Sequence, residues 1–198
     1  EYGGALWPLF LVHQYADGDP VWIRQVWEGA MQEGGLNEPD YFDAINTLLA
    51  DEGGVPAAAL EFARQRFFVG SRADGQHLPG AEQWGGAEVW LTAQWSHQQL
   101  PILDQASDPD TRPQPNGCNY IMLTPDASSE LPVKFSFAGA TNVDWDVSLS
   151  TLVDGAETDR KTMALEEGMG EISLEQQGVD EVAMVICQAT DESYDPDD

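Results

Sequence analysis

Three histidines, two cysteines and several Asp-x-Asp pairs are the residues of this sequence whose side chains could do chemistry. A zinc peptidase needs two histidines four residues apart on one helix, in the pattern His-Glu-x-x-His, and a third ligand. His13, His77 and His97 lie far apart, and none belongs to such a pattern. The sequence therefore predicts no catalytic, cofactor-binding or metal-binding residue, and no complete catalytic centre, in this chain.

The surroundings of each histidine favour a structural role. His13 falls beside apolar residues of the first predicted helix, which is typical of a core or boundary histidine. His77 falls in a predicted linker and His97 comes just after a predicted strand, so we expect both on the surface.

Other catalytic motifs are missing from the sequence. It holds no Gly-x-Ser-x-Gly elbow, and no Gly-rich phosphate-binding fingerprint follows a predicted strand. Its 35 acidic residues leave a carboxylate pair for glycoside chemistry open, but nothing singles out two of them.

Asp-x-Asp pairs are the one recurring polar pattern, and carboxylates in loops suit calcium. The four pairs are Asp17/Asp19, Asp108/Asp110, Asp144/Asp146 and Asp195/Asp197. None continues into an EF-hand loop, and so acidic a chain contains such pairs by chance. Asp144 and Asp146 flank Trp145 on a predicted strand, where they read as the polar face opposite the indole. Calcium is thus a weak alternative to a polar surface.

Two further groups of residues each have two possible interpretations. Cys118 and Cys187 both fall in predicted strands, which favours a disulfide over two buried thiols; closing so long a loop would stabilise the fold by about 4 kcal/mol. Trp84, Trp90 and Trp95 could form a carbohydrate platform, but the core-like spacing of Val89, Leu91 and Trp95 favours packing.

The charge balance excludes several partners. Thirty-five acidic residues face 8 basic ones, a net charge of −27, and the acidity is spread over both halves of the chain. Such a surface repels nucleic acid and anionic membranes, and no apolar run approaches the ~20 residues that span a bilayer. We expect neither nucleic-acid binding nor membrane insertion; solubility explains the acidity better than a dedicated cation-binding role.

Apolar periodicity and turn residues divide the chain into helices followed by strands. Helices are predicted at about 2–15, 20–32, 39–51 and 56–69, with Asp19 as a cap and Gly53-Gly54 as a stop. Short strands are predicted at 89–95, 119–123, 133–137, 145–152, 162–165, 171–174 and 182–187.

The resulting fold class is α+β, a compact N-terminal helical subdomain followed by an antiparallel β-sandwich. The predicted boundaries are 1–84 for the helical subdomain, 85–190 for a sandwich of the jelly-roll or immunoglobulin-like kind, and 191–198 for an acidic disordered tail. Stretches rich in Gly, Pro and polar residues predict linkers at 70–86 and 105–117.

Several segments, taken in order, resemble a known family. They are Tyr2-Gly3-Gly4-Ala5, the helix Trp22-Ile23-Arg24-Gln25-Val26-Trp27-Glu28, Phe42-Asp43-Ala44-Ile45, Leu60-Glu61-Phe62-Ala63, the stretch from Phe68 to His77, and Asn116-Gly117-Cys118-Asn119-Tyr120-Ile121. This order is similar to the region after the active-site helix in secreted, zincin-like zinc metalloproteases of myxobacteria. The similarity is specific only around residues 1–84.

The resemblance implies a carboxy-terminal, non-catalytic piece of such a protein, because the metal ligands and general base of the family have no counterpart here. The piece would be secreted or on the cell surface, would pack against the upstream part of the same precursor, and zinc would be held only upstream. The chain begins without Met, which fits a piece cut from a longer precursor. The alternative is an extracellular, non-enzymatic binding or structural module of a cell-surface or matrix assembly, with a partner protein chain.

The charge itself yields a test. Because folding brings like charges together, repulsion opposes the native state, and salt shortens the Debye length from roughly 30 Å at 0.01 M to about 8 Å at 0.15 M. The melting temperature should therefore rise with NaCl. CaCl₂ at matched ionic strength should raise it no further; a larger gain with calcium would indicate specific sites.

Overall fold

The computed structural model describes residues 3–31, 39–102, 113 and 117–189. Within these ranges the chain is a mixed α/β protein with four α-helices that precede seven β-strands. The second predicted linker, apart from residues 113 and 117, and the predicted tail 191–198 lie outside the described residues.

All four predicted helices are present, the first three within their predicted bounds, while the fourth begins at Gly54, before its predicted start. They are α1 (Gly3–Tyr15), α2 (Val21–Gly29), α3 (Tyr41–Leu48) and α4 (Gly54–Arg66). At the start of α3, the Asp40 carboxylate accepts from the backbone of Phe42 and Asp43, while the Asp43 side chain accepts from the Asp40 amide. This reciprocal capping box satisfies amides that the helix cannot pair internally, which fixes where α3 begins.

The helices share one apolar cluster. It includes Phe10 and Leu11 of α1, Val26 of α2, Ile45 of α3 and Val55 of α4, all at most 1% exposed. Residues after α4 complete it: Leu78 and Ala81, within the predicted linker 70–86, are buried in the same cluster. That stretch is therefore a packed part of the core and not a free connector. None of the described helices has the length and apolarity needed to span a lipid bilayer.

The strands form two sheets. They are β1 (Ala93–Ser96), β2 (Cys118–Thr124), β3 (Val133–Ala138), β4 (Asp144–Val153), β5 (Ala156–Thr162), β6 (Met169–Leu174) and β7 (Glu181–Ala189). Five strands pair in the order β1-β2-β7-β4-β5, and β3 pairs with β6. Every described strand pair is antiparallel, as predicted, except the parallel pair of β1 and β2.

The central strand β7 is covered on both faces. Val182, Met184 and Ile186 pack in a cluster with residues of β3 and β6. Ala183 and Val185, which alternate with them, pack in a second cluster with residues of α4. A strand that is buried on both sides needs apolar residues at every position, which explains its unbroken apolar run.

Strand β5 was not predicted at its observed place, because the run 162–165 was favoured instead. Its residues are almost all polar, and it lies at the sheet edge beside β4. The turn before it is Asp154-Gly155, both with positive φ (52° and 77°). An Asp-Gly pair between two strands is the usual signature of a tight hairpin turn, so a sequence signal for β5 did exist.

The predicted disulfide between Cys118 and Cys187 is confirmed. The two residues are direct partners across β2 and β7, in the interior of the five-stranded sheet. The bond closes a loop with a sequence separation of 69 residues, which limits the freedom of the unfolded chain.

One prediction about the helical core is wrong. The spacing of Trp22, Val26, Trp27 and Ile45 predicts a buried stripe, and three of these residues are buried. The Trp27 side chain is 62% exposed, and its ring meets only the edge of this core, 6.4 Å from the ring of Tyr41. Trp27 follows Val26 directly, so helix geometry turns the indole away from the face that Val26 buries.

The two α2 tryptophans should therefore differ in their contribution to stability. Trp22→Ala should lower the free energy of unfolding by about 3–5 kcal/mol, because it empties a buried site. Trp27→Ala should cost less than about 1 kcal/mol, as is usual for an exposed side chain. Urea unfolding followed by circular dichroism measures both. Equal losses would mean that Trp27 packs against something beyond the described residues.

Candidate functional site

A buried histidine lies at the centre of the largest polar cluster among the described residues. The side chain of His77 is 7% exposed. Its Nδ1 lies 3.0 Å from both carboxylate oxygens of Asp74, and its Nε2 lies 3.1 Å from Oε2 of Glu157. The ring stacks on that of Phe68, with centroids 3.9 Å apart. A ring held between two carboxylates donates from both nitrogens only when it is doubly protonated.

Arg160 of β5 joins this histidine to α4. Its Nη1 lies 2.9 Å from both carboxylate oxygens of Glu61, on α4. On its other edge, Nε and Nη2 donate to the two oxygens of Glu157 at 2.9 and 3.0 Å. The guanidinium thus binds one carboxylate on a helix and one on a strand. Its planar set of N–H donors is suited to such paired hydrogen bonds with carboxylates.

A second arginine extends the cluster to β4. Arg64 Nη2 donates to both oxygens of Asp146 at 2.7 and 2.8 Å, and Arg64 Nη1 lies 3.4 Å from Glu61. Asp146 belongs to a predicted Asp-x-Asp pair, and this contact shows its role: it is an ion-pair partner of α4. We call the whole set the ionic network. Its members are Asp74, His77, Glu157, Arg160, Glu61, Arg64 and Asp146.

Protonation of His77 relieves a charge imbalance in the ionic network. Its four carboxylates face two guanidiniums, so a neutral histidine leaves a net charge of −2 and a protonated one leaves −1. Arg160 Nη2 also lies 3.3 Å from His77 Nε2, a contact that suits only the neutral ring. The two carboxylates outweigh this contact. Burial lowers the pKa of His77, but the hydrogen bonds with Glu157 and Asp74 together raise it by more than burial lowers it. The net pKa therefore lies above its usual value.

The carboxylates beside His77 shift the opposite way. Burial raises the pKa of Glu157, but hydrogen bonds from His77, Arg160 and Ser150 lower it more, to about 2. Burial likewise raises the pKa of Asp74, and the hydrogen bond from His77 lowers it below its usual range. These groups stabilise the fold above their unfolded pKa values, and that contribution is lost as the pH falls through their lowered folded pKa values.

The ionic network favours structural coupling over catalysis. Both nitrogens of His77 already face carboxylates, so neither is directed at a substrate. The hydroxyl of Ser150 donates to Glu157 and is itself buried, 7% exposed. The ionic network connects the loop 74–77, α4, β4 and β5 by charge-assisted hydrogen bonds. Its members are partly shielded from water, and such bonds are strong where water is excluded.

A second feature is an open cleft of about 430 Å³ beside the disulfide. Its walls come from α1, α3 and α4 on one side and from the ends of β2 and β7 on the other. The lining residues are Trp7, Tyr41, Phe42, Val55, Ala59, Leu60, Phe62, Ala63, Arg66, Gly117, Cys118, Tyr120, Cys187 and Gln188. We call it the aromatic cleft. An apolar concavity of this size with few polar groups is typical of ligand sites.

Among the described residues that line the aromatic cleft, Arg66 is the only one with a charged side chain. Its Nη2 donates to the carbonyl oxygen of Ala87 at 3.3 Å, and its Cζ lies 5.8 Å from the ring centre of Phe62. The neighbouring Tyr120 is a neutral donor: its hydroxyl donates to Ala63, and burial raises its pKa to about 12.

The other residues weighed from the sequence do not meet in one place. His13, expected in or beside the core, is exposed, because the buried face of α1 runs through Leu6, Phe10 and Leu11. His97 is exposed as predicted. His77, expected on the surface, is buried, because Asp74 and Glu157 satisfy both of its nitrogens.

The three tryptophans of the suggested platform also separate. Trp84 packs against the helical cluster and Trp95 against the cluster between the sheets. Trp90 is 93% exposed, whereas its neighbours Val89 and Leu91 pack in the cluster beside α4, in line with the packing interpretation.

The Asp pairs and metals can be assessed where the chain is described. Asp19 accepts a hydrogen bond from the amide of Val21 at 2.9 Å, but the N-cap position of α2 is Pro20 and not Asp19 as predicted. Asp108/Asp110 and Asp195/Asp197 lie outside the described residues. In the described ranges, no group of three or more His, Cys, Asp or Glu side chains is arranged to hold a metal ion.

Comparison of the chain with protein-family models, curated proteins and solved structures finds no match. The two features must therefore be interpreted from their own geometry. Sequence reasoning missed both. The local signal for the ionic network was Asp74, placed three residues before His77 so that a turn brings carboxylate and ring together; Glu157, 80 residues after His77, gives no such signal.

The raised pKa of His77 predicts a pH dependence of stability. A histidine whose folded pKa lies above its unfolded value stabilises fully below about pH 6.5, and the contribution is lost as the pH rises through the folded pKa. The melting temperature should therefore fall as the pH rises above about 6.5 and through the raised folded pKa of His77. His77→Gln should flatten this slope, and the exposed His13→Gln is the matched control. A slope that survives in His77→Gln would contradict the assignment.

Proposed function

We propose that this chain is a non-enzymatic binding module of an extracellular or cell-surface assembly, and that it takes a segment of its partner into the aromatic cleft. The observation that carries the proposal is the cleft itself. It is open, lined mostly by aromatic and aliphatic side chains, and separate from the ionic network. Aromatic side chains at such a surface give large contact area at low entropic cost.

The surroundings of the cleft support binding without rearrangement. One wall contains α4, which the ionic network attaches to β4 and β5 through Arg64 and Arg160. The opposite wall contains Cys118 and Cys187, joined by the disulfide. A preformed site avoids part of the ordering cost of association. The disulfide is also compatible with a secreted or cell-surface location, which is part of the proposal.

A second candidate function has a specific observation in its favour. In it, the chain is the carboxy-terminal portion of a secreted metallopeptidase-like protein, with residues 1–84 as a helical wall and 85–190 as an accessory β-sandwich in which β3 and β6 supply the second sheet. The stretch from Phe68 to His77 is one of the segments that carry the sequence resemblance. Asp74 and His77, the distinctive residues of that stretch, lie buried in the ionic network, which supports a structural reason for the motif.

Filling the cleft tests the first proposal. Ala59 lines the cleft, so Ala59→Trp should abolish the binding of apolar peptides selected on the immobilised chain. Ala127→Trp adds the same side chain at an exposed turn and should leave binding unchanged. Peptides incubated with the protein should stay intact by mass spectrometry. Binding that survives Ala59→Trp, or cleavage of the peptides, would contradict the proposal.

The second candidate has its own test. A His-Glu-x-x-His segment encoded on the amino-terminal side of Glu1 would favour it, and a precursor without one would remove it. Under either candidate the purified chain should hold no stoichiometric zinc; one tightly bound zinc per chain by elemental analysis would contradict both.

A further inference from the structure

We infer that Arg66 makes the aromatic cleft selective for the free α-carboxylate of a peptide chain that ends in an apolar residue. The inference rests on the proposed binding function and adds the chemistry of the ligand. The apolar side chain would pack among the aromatic residues while the carboxylate meets the guanidinium.

Arg66 has unused hydrogen-bonding capacity. A guanidinium has five N–H donors, and the bond from Nη2 to Ala87 is the only hydrogen bond that the Arg66 side chain makes with the described residues. Its Nε is buried and has no partner there. A buried donor without a partner is destabilising, and Nη1, which also makes no hydrogen bond with the described residues, can donate to a ligand.

The charge environment points to an anion. Five of the basic residues, Arg24, Arg64, Lys134, Arg160 and Lys161, pair with a carboxylate of the chain. No described carboxylate lies within ion-pair distance of Arg66, although the chain has 35 acidic residues. Arg72, also without such a pair, donates to the carbonyl oxygens of Phe67 and Val89.

A single carboxylate fits this environment better than a phosphate. One planar guanidinium matches one carboxylate with two parallel hydrogen bonds. A multiply charged anion would need further cations, which the wall of the cleft does not supply, and would meet stronger repulsion from a chain of net charge −27.

The open shape of the cleft favours a chain end over a free small acid. Small-molecule sites bury most of the ligand surface, which an enclosed cavity does best. An open cleft instead encloses the terminal residue and lets the preceding residues leave toward solvent. Capture of a C-terminal carboxylate is an established form of peptide recognition.

Calorimetric titration of one peptide in two forms tests the inference. The probes are acetyl-Gly-Ser-Gly-Ser-Leu-Phe with a free carboxylate and the same peptide as its C-terminal amide. The wild-type chain should bind the free acid at least about tenfold more tightly, as expected for a charge-assisted hydrogen bond. Arg66→Gln should lose this preference while binding the amide as wild type does. Arg66→Lys, which keeps the charge and loses the fork, should show an intermediate preference.

Control variants and competing occupants complete the design. Arg24→Gln removes the same charge at a solvent-exposed pair with Glu28 and should keep the full preference. Equal binding of acid and amide by wild type would overturn the inference and leave the binding function standing, whereas no binding of either would remove both. Loss of the preference in Arg24→Gln would mean that the preference depends on the net charge of the chain and not on Arg66, which would overturn the inference. If 3-phenylpropionate bound as tightly as the peptide acid, the cleft would be assigned to free small acids instead. If the peptide acid bound more tightly after deletion of 191–198, the cleft would be assigned to the chain's own carboxyl end.

Discussion

The interaction on which the rest of this structure depends is the set of charge-assisted hydrogen bonds that Arg160 donates to Glu61 and Glu157. The contact with Glu61 joins α4 to the edge strand β5, and Glu157, on the same strand as Arg160, holds the other edge of the guanidinium; each carboxylate accepts two hydrogen bonds. In a chain with 35 acidic and 8 basic residues, cations are scarce, and two arginines are placed where helices and strands meet. Removing one partner of such a partly buried pair leaves an uncompensated charge, so the junction tolerates little change.

The fold was largely visible in the sequence wherever packing has a simple period. The stripes of α2 and α3 and the unbroken apolar run of β7 each reflect burial, and burial is what periodicity detects. Polar edges give a weaker signal, as β5 shows: its residues read as loop, and only Asp154-Gly155 marks the hairpin. Trp27 shows the opposite error, since a large apolar side chain beside a buried position need not be buried.

The candidate site was less visible, for a physical reason. His77 was expected on the surface because its sequence neighbours are polar and Gly-rich. Its burial depends on Glu157, whose approach follows from the hairpin of β4 and β5 and not from any local pattern. Arg66 was equally hidden, because an arginine at a helix end looks like any cation that complements the helix dipole. Which charged side chains pair with one another is decided by the folded chain and not by their neighbours in sequence.

The edges of the five-stranded sheet bear on how this molecule meets others. A free strand edge offers unpaired backbone groups to any neighbouring chain, and proteins suppress such contacts with charged residues and short strands. Here one edge is β5, which carries Asp159, Arg160 and Lys161, and the other is β1, four residues long. Both edges are poor templates for adding strands. Along the described strands, the charges of β5 and the shortness of β1 therefore disfavour self-assembly by strand addition.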